Sequence, residues 1–175
     1  MANPDPKQEI INKLSRLLLP RVSASNDKAE GERTLRFLKE RCIPGRQVHF
    51  VLFEDKIGQQ IHFTCYIVQD AVGNWQFRGA AGDGVTGTPG PVVEQGWANL
   101  GGGGMPDHFY AGGYVADHGL DVVRVRLVAE NGTVIEDTVE DGIVLFLTDQ
   151  LVALPIEAEI YERSGKLVYQ HRVLG

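Results

Sequence analysis

From Arg46 to the C-terminus, apolar and polar residues of this chain alternate with a period of two. This spacing places successive side chains on opposite faces of a β-strand. The first two runs carry large apolar residues at every second position, namely Val48, Phe50, Leu52, Ile61, Phe63, Cys65 and Ile67. They flank a turn-like segment at 56–59, which predicts a hairpin with one buried face and with His49 and His62 together on the other face.

The C-terminal third repeats this pattern. Asn131-Gly132 and Ser164-Gly165 are typical hairpin turns. Strands are predicted at Thr133–Val139, Ile143–Leu147, Ile156–Tyr161 and Lys166–Val173. About eight or nine short antiparallel strands in total favour a β-sandwich or an open barrel. The stretch Ile156–Gln170 resembles the closing hairpin of many immunoglobulin-like bacterial modules, and this resemblance implies an immunoglobulin-like sandwich.

Residues 1–45 have the pattern of a helical arm. Asp5 is a suitable N-cap, Pro6 fits the first helical position, and Ile10, Leu14 and their neighbours form one apolar stripe. A second helix is predicted from Asp27 to Cys42, with Pro44-Gly45 ending it. We therefore expect two helices packed on a β body of residues 46–175, together one domain.

A glycine-rich stretch interrupts the body. Residues 82–119 contain twelve glycines, and we predict a long loop over 82–104 because glycine weakens regular strands. Trp97, Tyr110 and Tyr114 lie in or beside this stretch. They form either apolar plugs of the core or a ligand-binding surface that also includes Asp83.

Charge and hydropathy exclude several function classes. The net charge is −6, and the acidic body argues against a nucleic-acid partner. No apolar run is long enough for a membrane span, and the polar N-terminus is not a signal sequence, so a cytoplasmic location is expected.

Gly82–Gly87 matches a dinucleotide-binding pattern, but the following Thr88-Pro89 cannot start the required helix.

Two Asp-His pairs suggest a metal site. If Gly112-Gly113 forms a two-residue turn, His108 faces Asp117 and Asp107 faces His118. The pleat, however, gives each face only two ligands, and zinc needs at least three. The alternative interpretation is that these residues form charged cross-strand pairs near a turn. No cofactor is predicted.

The leading hypothesis is a non-enzymatic binding or protein-interaction module, because loops on rigid β scaffolds commonly bind ligands. A first alternative is a small metal-dependent enzyme that uses Asp107, His108, Asp117 and His118. A second is a structural subunit that docks a partner, or forms a homo-oligomer, through its N-terminal helices.

Overall fold

The computed structural model describes residues 5–18, 35–54, 60–85, 98–117 and 119–175. Within these ranges the chain forms one helix and eleven strands. Their bounds are α1 Pro6–Leu18, β1 Leu35–Ile43, β2 Arg46–Glu54, β3 Gln60–Gln69, β4 Trp75–Val85, β5 Ala98–Met105, β6 His108–Val115, β7 Val122–Ala129, β8 Val134–Thr138, β9 Ile143–Thr148, β10 Ile156–Glu162 and β11 Leu167–Leu174. The prediction of a mainly β, antiparallel fold is confirmed, and these strands form no closed barrel.

The chain divides into two compact units, residues 1–88 and residues 89–175. The first unit contains α1 and a four-stranded meander in the order β1-β2-β3-β4. The second unit contains a four-stranded sheet, β11-β10-β7-β8, and a three-stranded sheet, β5-β6-β9. Both sheets of the second unit contribute to one apolar cluster, which includes Ala111, Val125, Phe146 and Ile160.

Helix α1 forms where the sequence predicts it. A side-chain oxygen of Asp5 accepts a 3.0 Å hydrogen bond from the backbone N–H of Lys7, which caps the first turn. Ile10 and Leu14 are fully buried and belong to the same apolar cluster as Val51 and Ile67 of the adjacent sheet. Burial of each of these side chains contributes about 1.5–3 kcal/mol. Among the described residues, no helix is both long and apolar enough to cross a bilayer.

The predicted second helix is wrong over residues 35–42, where the chain forms β1 instead. β1 pairs with β2 from Leu35 opposite Phe53 to Ile43 opposite Arg46, and Pro44-Gly45 is the turn between them. Pairing along a whole strand overrides a moderate helix preference. Residues 35–45 therefore belong to the first sheet, and the proposed capping residues Asp27 and Glu30 lie outside the described ranges.

Residues 55–59, which include the predicted turn, lie outside the described ranges, and β2 and β3 form an antiparallel pair. Its register places His49 opposite Cys65 and His62 opposite Leu52. Because residues 49 and 52 of one strand point to opposite faces, the two histidines do not share a face, contrary to the prediction. Both faces of the sheet are buried here, since Val48 and Val51 are each fully inaccessible.

The glycine-rich stretch forms strands at both ends of the predicted loop 82–104. β4 extends to Val85 and β5 begins at Ala98, while residues 86–97 lie outside the described ranges. In the register, Gly82 lies opposite Phe63, Gly103 opposite Tyr110 and Gly104 opposite Phe109. Each aromatic ring covers the glycine across from it, within 3.3 Å of where a Cβ atom would lie. Aromatic cover of this kind lets glycine-rich segments pair as strands.

Asp137 of β8 holds the neighbouring strand through its side chain. Its carboxylate accepts a 2.7 Å hydrogen bond from the backbone N–H of Leu145 in β9, and both residues are buried. We expect Asp137→Ala to lower the free energy of unfolding by about 2–3 kcal/mol, because it leaves a buried N–H without this acceptor. Asp137→Asn keeps an acceptor oxygen and should cost roughly half as much. Urea unfolding measures both losses, and equal losses would contradict this role.

Candidate functional site

Three connecting segments meet at one end of the second unit. They are the β5–β6 turn at 105–108, the β7–β8 turn at 130–133 and the β9–β10 connection at 149–155. Phe109 pairs with Thr148 in one sheet, and Ile156 pairs with Ala129 in the other. Because residues 149–155 join the two sheets directly and the sheets share one core, these segments lie together. We call residues 105–108, 130–133 and 149–155 the loop end.

The loop end displays large apolar side chains. Met105 is 63% exposed, Leu151 55% and Leu154 57%, the three most exposed large apolar side chains in the described part of the second unit. Val134, the first residue of β8, is also 43% exposed. Single exposed apolar side chains are common, but several at one end of a domain are typical of a binding surface.

Hydrogen bonds fix the leucine-bearing connection in place. The backbone carbonyl of Leu151 accepts 2.9 Å hydrogen bonds from Nδ2 of Asn131 and from Oγ1 of Thr133. The backbone N–H of Glu130 donates to the carbonyls of Ala153 and Pro155 at 3.3 and 3.2 Å. The β7–β8 turn thus anchors the connection, so the two leucines are held outward by a defined backbone.

The predicted metal ligands are not all brought together. Asp107 and His108 lie at the loop end, where Oδ1 of Asp107 is 2.8 Å from Nδ1 of His108. Asp117 lies beyond the other end of β6, and Oδ1 of Asp117 accepts a 2.7 Å hydrogen bond from the backbone N–H of Val122. The length of β6 separates the two places by roughly 25 Å. His118 lies outside the described residues.

The turn on which the metal hypothesis depended is not formed. Gly112 and Gly113 lie inside β6, opposite Leu145 and Val144 of β9. β6 pairs with a strand on each side, β5 and β9, and continues through the glycines. In the part of the chain that the structure describes, no group of three or more His, Cys, Asp or Glu side chains could hold a metal.

The aromatic candidates occupy different environments. Tyr110 is 8% exposed, and its ring covers Gly103, so it is a buried packing residue. Tyr114 is half-buried and lies on the same face of β6 as Tyr110. The opposite face of β6 carries core residues such as Ala111. Asp83 lies in β4 opposite His62 in register, and Trp97 lies outside the described residues.

A separate group of titratable side chains lies beside α1 in the first unit. His49 is fully buried, with Nε2 3.0 Å from Oε1 of Gln47 and Nδ1 3.7 Å from Oε2 of Glu40. The same oxygen of Glu40 pairs with Nζ of Lys7 at 3.1 Å. Burial lowers the pKa of His49 from 6.5 to about 4, so the imidazole is neutral near neutral pH. Burial also raises the pKa of the Cys65 thiol to about 12, so this thiol stays protonated.

Sequence reasoning missed Leu151 and Leu154. Their signal is weak: two leucines three residues apart, between a strand and Pro155, in a segment that otherwise reads as an ordinary connection. Comparisons of the chain with family models, with curated proteins and with solved structures found no match, so its function must be inferred from its own geometry.

Proposed function

We propose that this protein is an interaction module that binds a partner protein through the loop end of its second unit. The observation that carries this proposal is the outward position of Leu151 and Leu154 on a connection anchored by Asn131 and Thr133. A rigid scaffold that presents apolar side chains on connecting segments is a common design for protein recognition.

The expected energetic gain supports this proposal. Burying the exposed half of each leucine under a partner contributes on the order of 1 kcal/mol per side chain. The backbone of residues 149–155 is already ordered by hydrogen bonds, so binding costs little additional conformational entropy. Met105 adds a flexible side chain that adapts to different partner shapes.

We also propose a finer description of the second unit, as an immunoglobulin-like β-sandwich. The four-stranded and three-stranded sheets contribute to one apolar cluster, which is the arrangement expected of two packed sheets. In sandwiches of this kind, the connections at one end commonly form the binding surface. The loop end would then be used in the same general way.

Photo-crosslinking tests the proposed function. A photoreactive phenylalanine derivative is introduced at Leu151, and at Val72 as the control, because Val72 is 81% exposed on a turn of the first unit. In cells that produce the protein, we expect one discrete crosslinked species from position 151 that does not form from position 72. The same products from both positions, or none from position 151, would contradict the proposal.

A further inference from the structure

Acidic residues accompany the exposed apolar side chains of the loop end. Asp107 is 69% exposed, and Glu130 and Asp149 are exposed in the two other segments. Residues 105–108, 130–133 and 149–155 contain no lysine or arginine. The loop end therefore combines an apolar surface with a net negative charge.

The second unit has fewer basic residues than acidic ones. Residues 89–175 contain five Lys or Arg and thirteen Asp or Glu. Arg126 pairs with Glu159 at 3.1 Å on the four-stranded sheet, and Nε and Nη2 of Arg163 both contact Asp121 at the opposite end of the unit. Arg172 lies opposite Glu157 in register. Five basic against thirteen acidic residues leave the second unit with a net negative charge, to which the loop end contributes Asp107, Glu130 and Asp149.

We infer that the partner segment presents leucine-like side chains flanked by lysine or arginine. This inference rests on the proposed function and adds the chemistry of the partner. Complementary charge around an apolar contact selects the partner and speeds association, whereas like charges oppose it. A second copy of this chain docked loop end to loop end would bring two acidic rims together, so charge disfavours that occupant.

Three designed peptides serve as probes of this chemistry. The Leu–Lys peptide is an amphipathic sequence of leucines and lysines, the Leu–Glu peptide replaces each lysine by glutamate, and the Ser–Lys peptide replaces each leucine by serine. Binding to the full chain is measured by fluorescence anisotropy at low salt. The proteins are the wild type, the double variant Leu151→Ser/Leu154→Ser, and the triple variant Asp107→Asn/Glu130→Gln/Asp149→Asn. Circular dichroism confirms that each variant is folded.

The expected result is that the Leu–Lys peptide binds the wild type at least about tenfold more tightly than either other peptide. The double variant should lose about tenfold in affinity for it, although its charges are unchanged. The triple variant should bind the Leu–Lys and Leu–Glu peptides with similar affinity. Added salt should reduce the preference of the wild type for the Leu–Lys peptide.

Other outcomes separate the two proposals. If both leucine peptides bind the wild type equally and neither binds the double variant, the inference about charge fails and the proposed function stands. If the double variant binds the Leu–Lys peptide as tightly as the wild type does, the attraction is general to an acidic protein, and the inference is overturned. If no peptide binds the wild type, both proposals are contradicted.

Discussion

Replacing Gly102 by alanine is expected to lower the free energy of unfolding by about 3 kcal/mol. A Cβ atom at this position would overlap the carbonyl oxygen of Tyr110 and lie 2.7 Å from the Cα atom of Ala111. Both neighbours are backbone of β6, so no side-chain rotation relieves the overlap. The β5–β6 pair must separate to accept the methyl group.

Gly104→Ala is the matched control for this substitution. Gly104 lies two residues further along β5, where a Cβ atom would be 3.2 Å from the carbonyl oxygen of His108 and 3.3 Å from the ring of Phe109. Small adjustments accommodate it, so we expect a loss below about 1 kcal/mol. Urea unfolding of the two variants provides the comparison. Equal losses would show that residues 98–105 do not pair with β6 in this register.

Acidification from about pH 7.5 to about pH 4.5 is expected to destabilise the protein by about 2–3 kcal/mol through His49 alone. The pKa of this buried imidazole is about 4 in the folded chain, against 6.5 when it is unperturbed. Between these values the unfolded chain binds more protons than the folded chain. The contribution of neutral His49 to the free energy of unfolding is therefore present above pH 6.5 and is lost as the pH decreases toward 4.

His49→Gln isolates this contribution from that of the titrating carboxylates. Glutamine does not titrate, and its amide can still form a hydrogen bond with Gln47. We expect the loss of unfolding free energy on acidification to be about 2 kcal/mol smaller in the variant than in the wild type. His62→Gln is a useful comparison, because burial also lowers the pKa of His62. An unchanged acid response in His49→Gln would mean that this imidazole is protonated as readily in the folded chain as in the unfolded chain.

Local sequence signals predict the C-terminal strands well. Asn131-Gly132 and Ser164-Gly165 form the turns that their residue types indicate, and the strands around them begin and end within one or two residues of the predicted positions. A tight turn and the alternation beside it lie within a few residues of each other, so no information about distant parts of the chain is needed.

The errors concern segments whose structure depends on a distant partner. Residues 35–42 have apolar residues at both helical and strand spacing, and pairing with β2 determines the outcome. Residues 98–104 contain four consecutive glycines and form a strand, in which Gly103 and Gly104 are covered across the sheet by Tyr110 and Phe109 of β6. A single sequence reveals neither pairing, because register between strands is a tertiary property.

The candidate site was predicted only in part. The Asp107–His108 contact follows from adjacency in the sequence. Asp117 would lie beside these residues only if Gly112-Gly113 formed a turn, whereas β6 continues through both glycines. Leu151 and Leu154 were missed because exposure of an apolar residue depends on the anchoring hydrogen bonds from Asn131 and Thr133, which connect residues about twenty positions apart.

Chemical-shift mapping of the ¹⁵N-labelled protein with the Leu–Lys peptide tests the central claim most directly, since it reports on every backbone amide in one titration. The account predicts that the largest shift changes occur at residues 105–108, 130–133 and 149–155. Changes concentrated at residues 116–121, 139–142 and 163–166, at the other end of the second unit, or in the first unit, would contradict it.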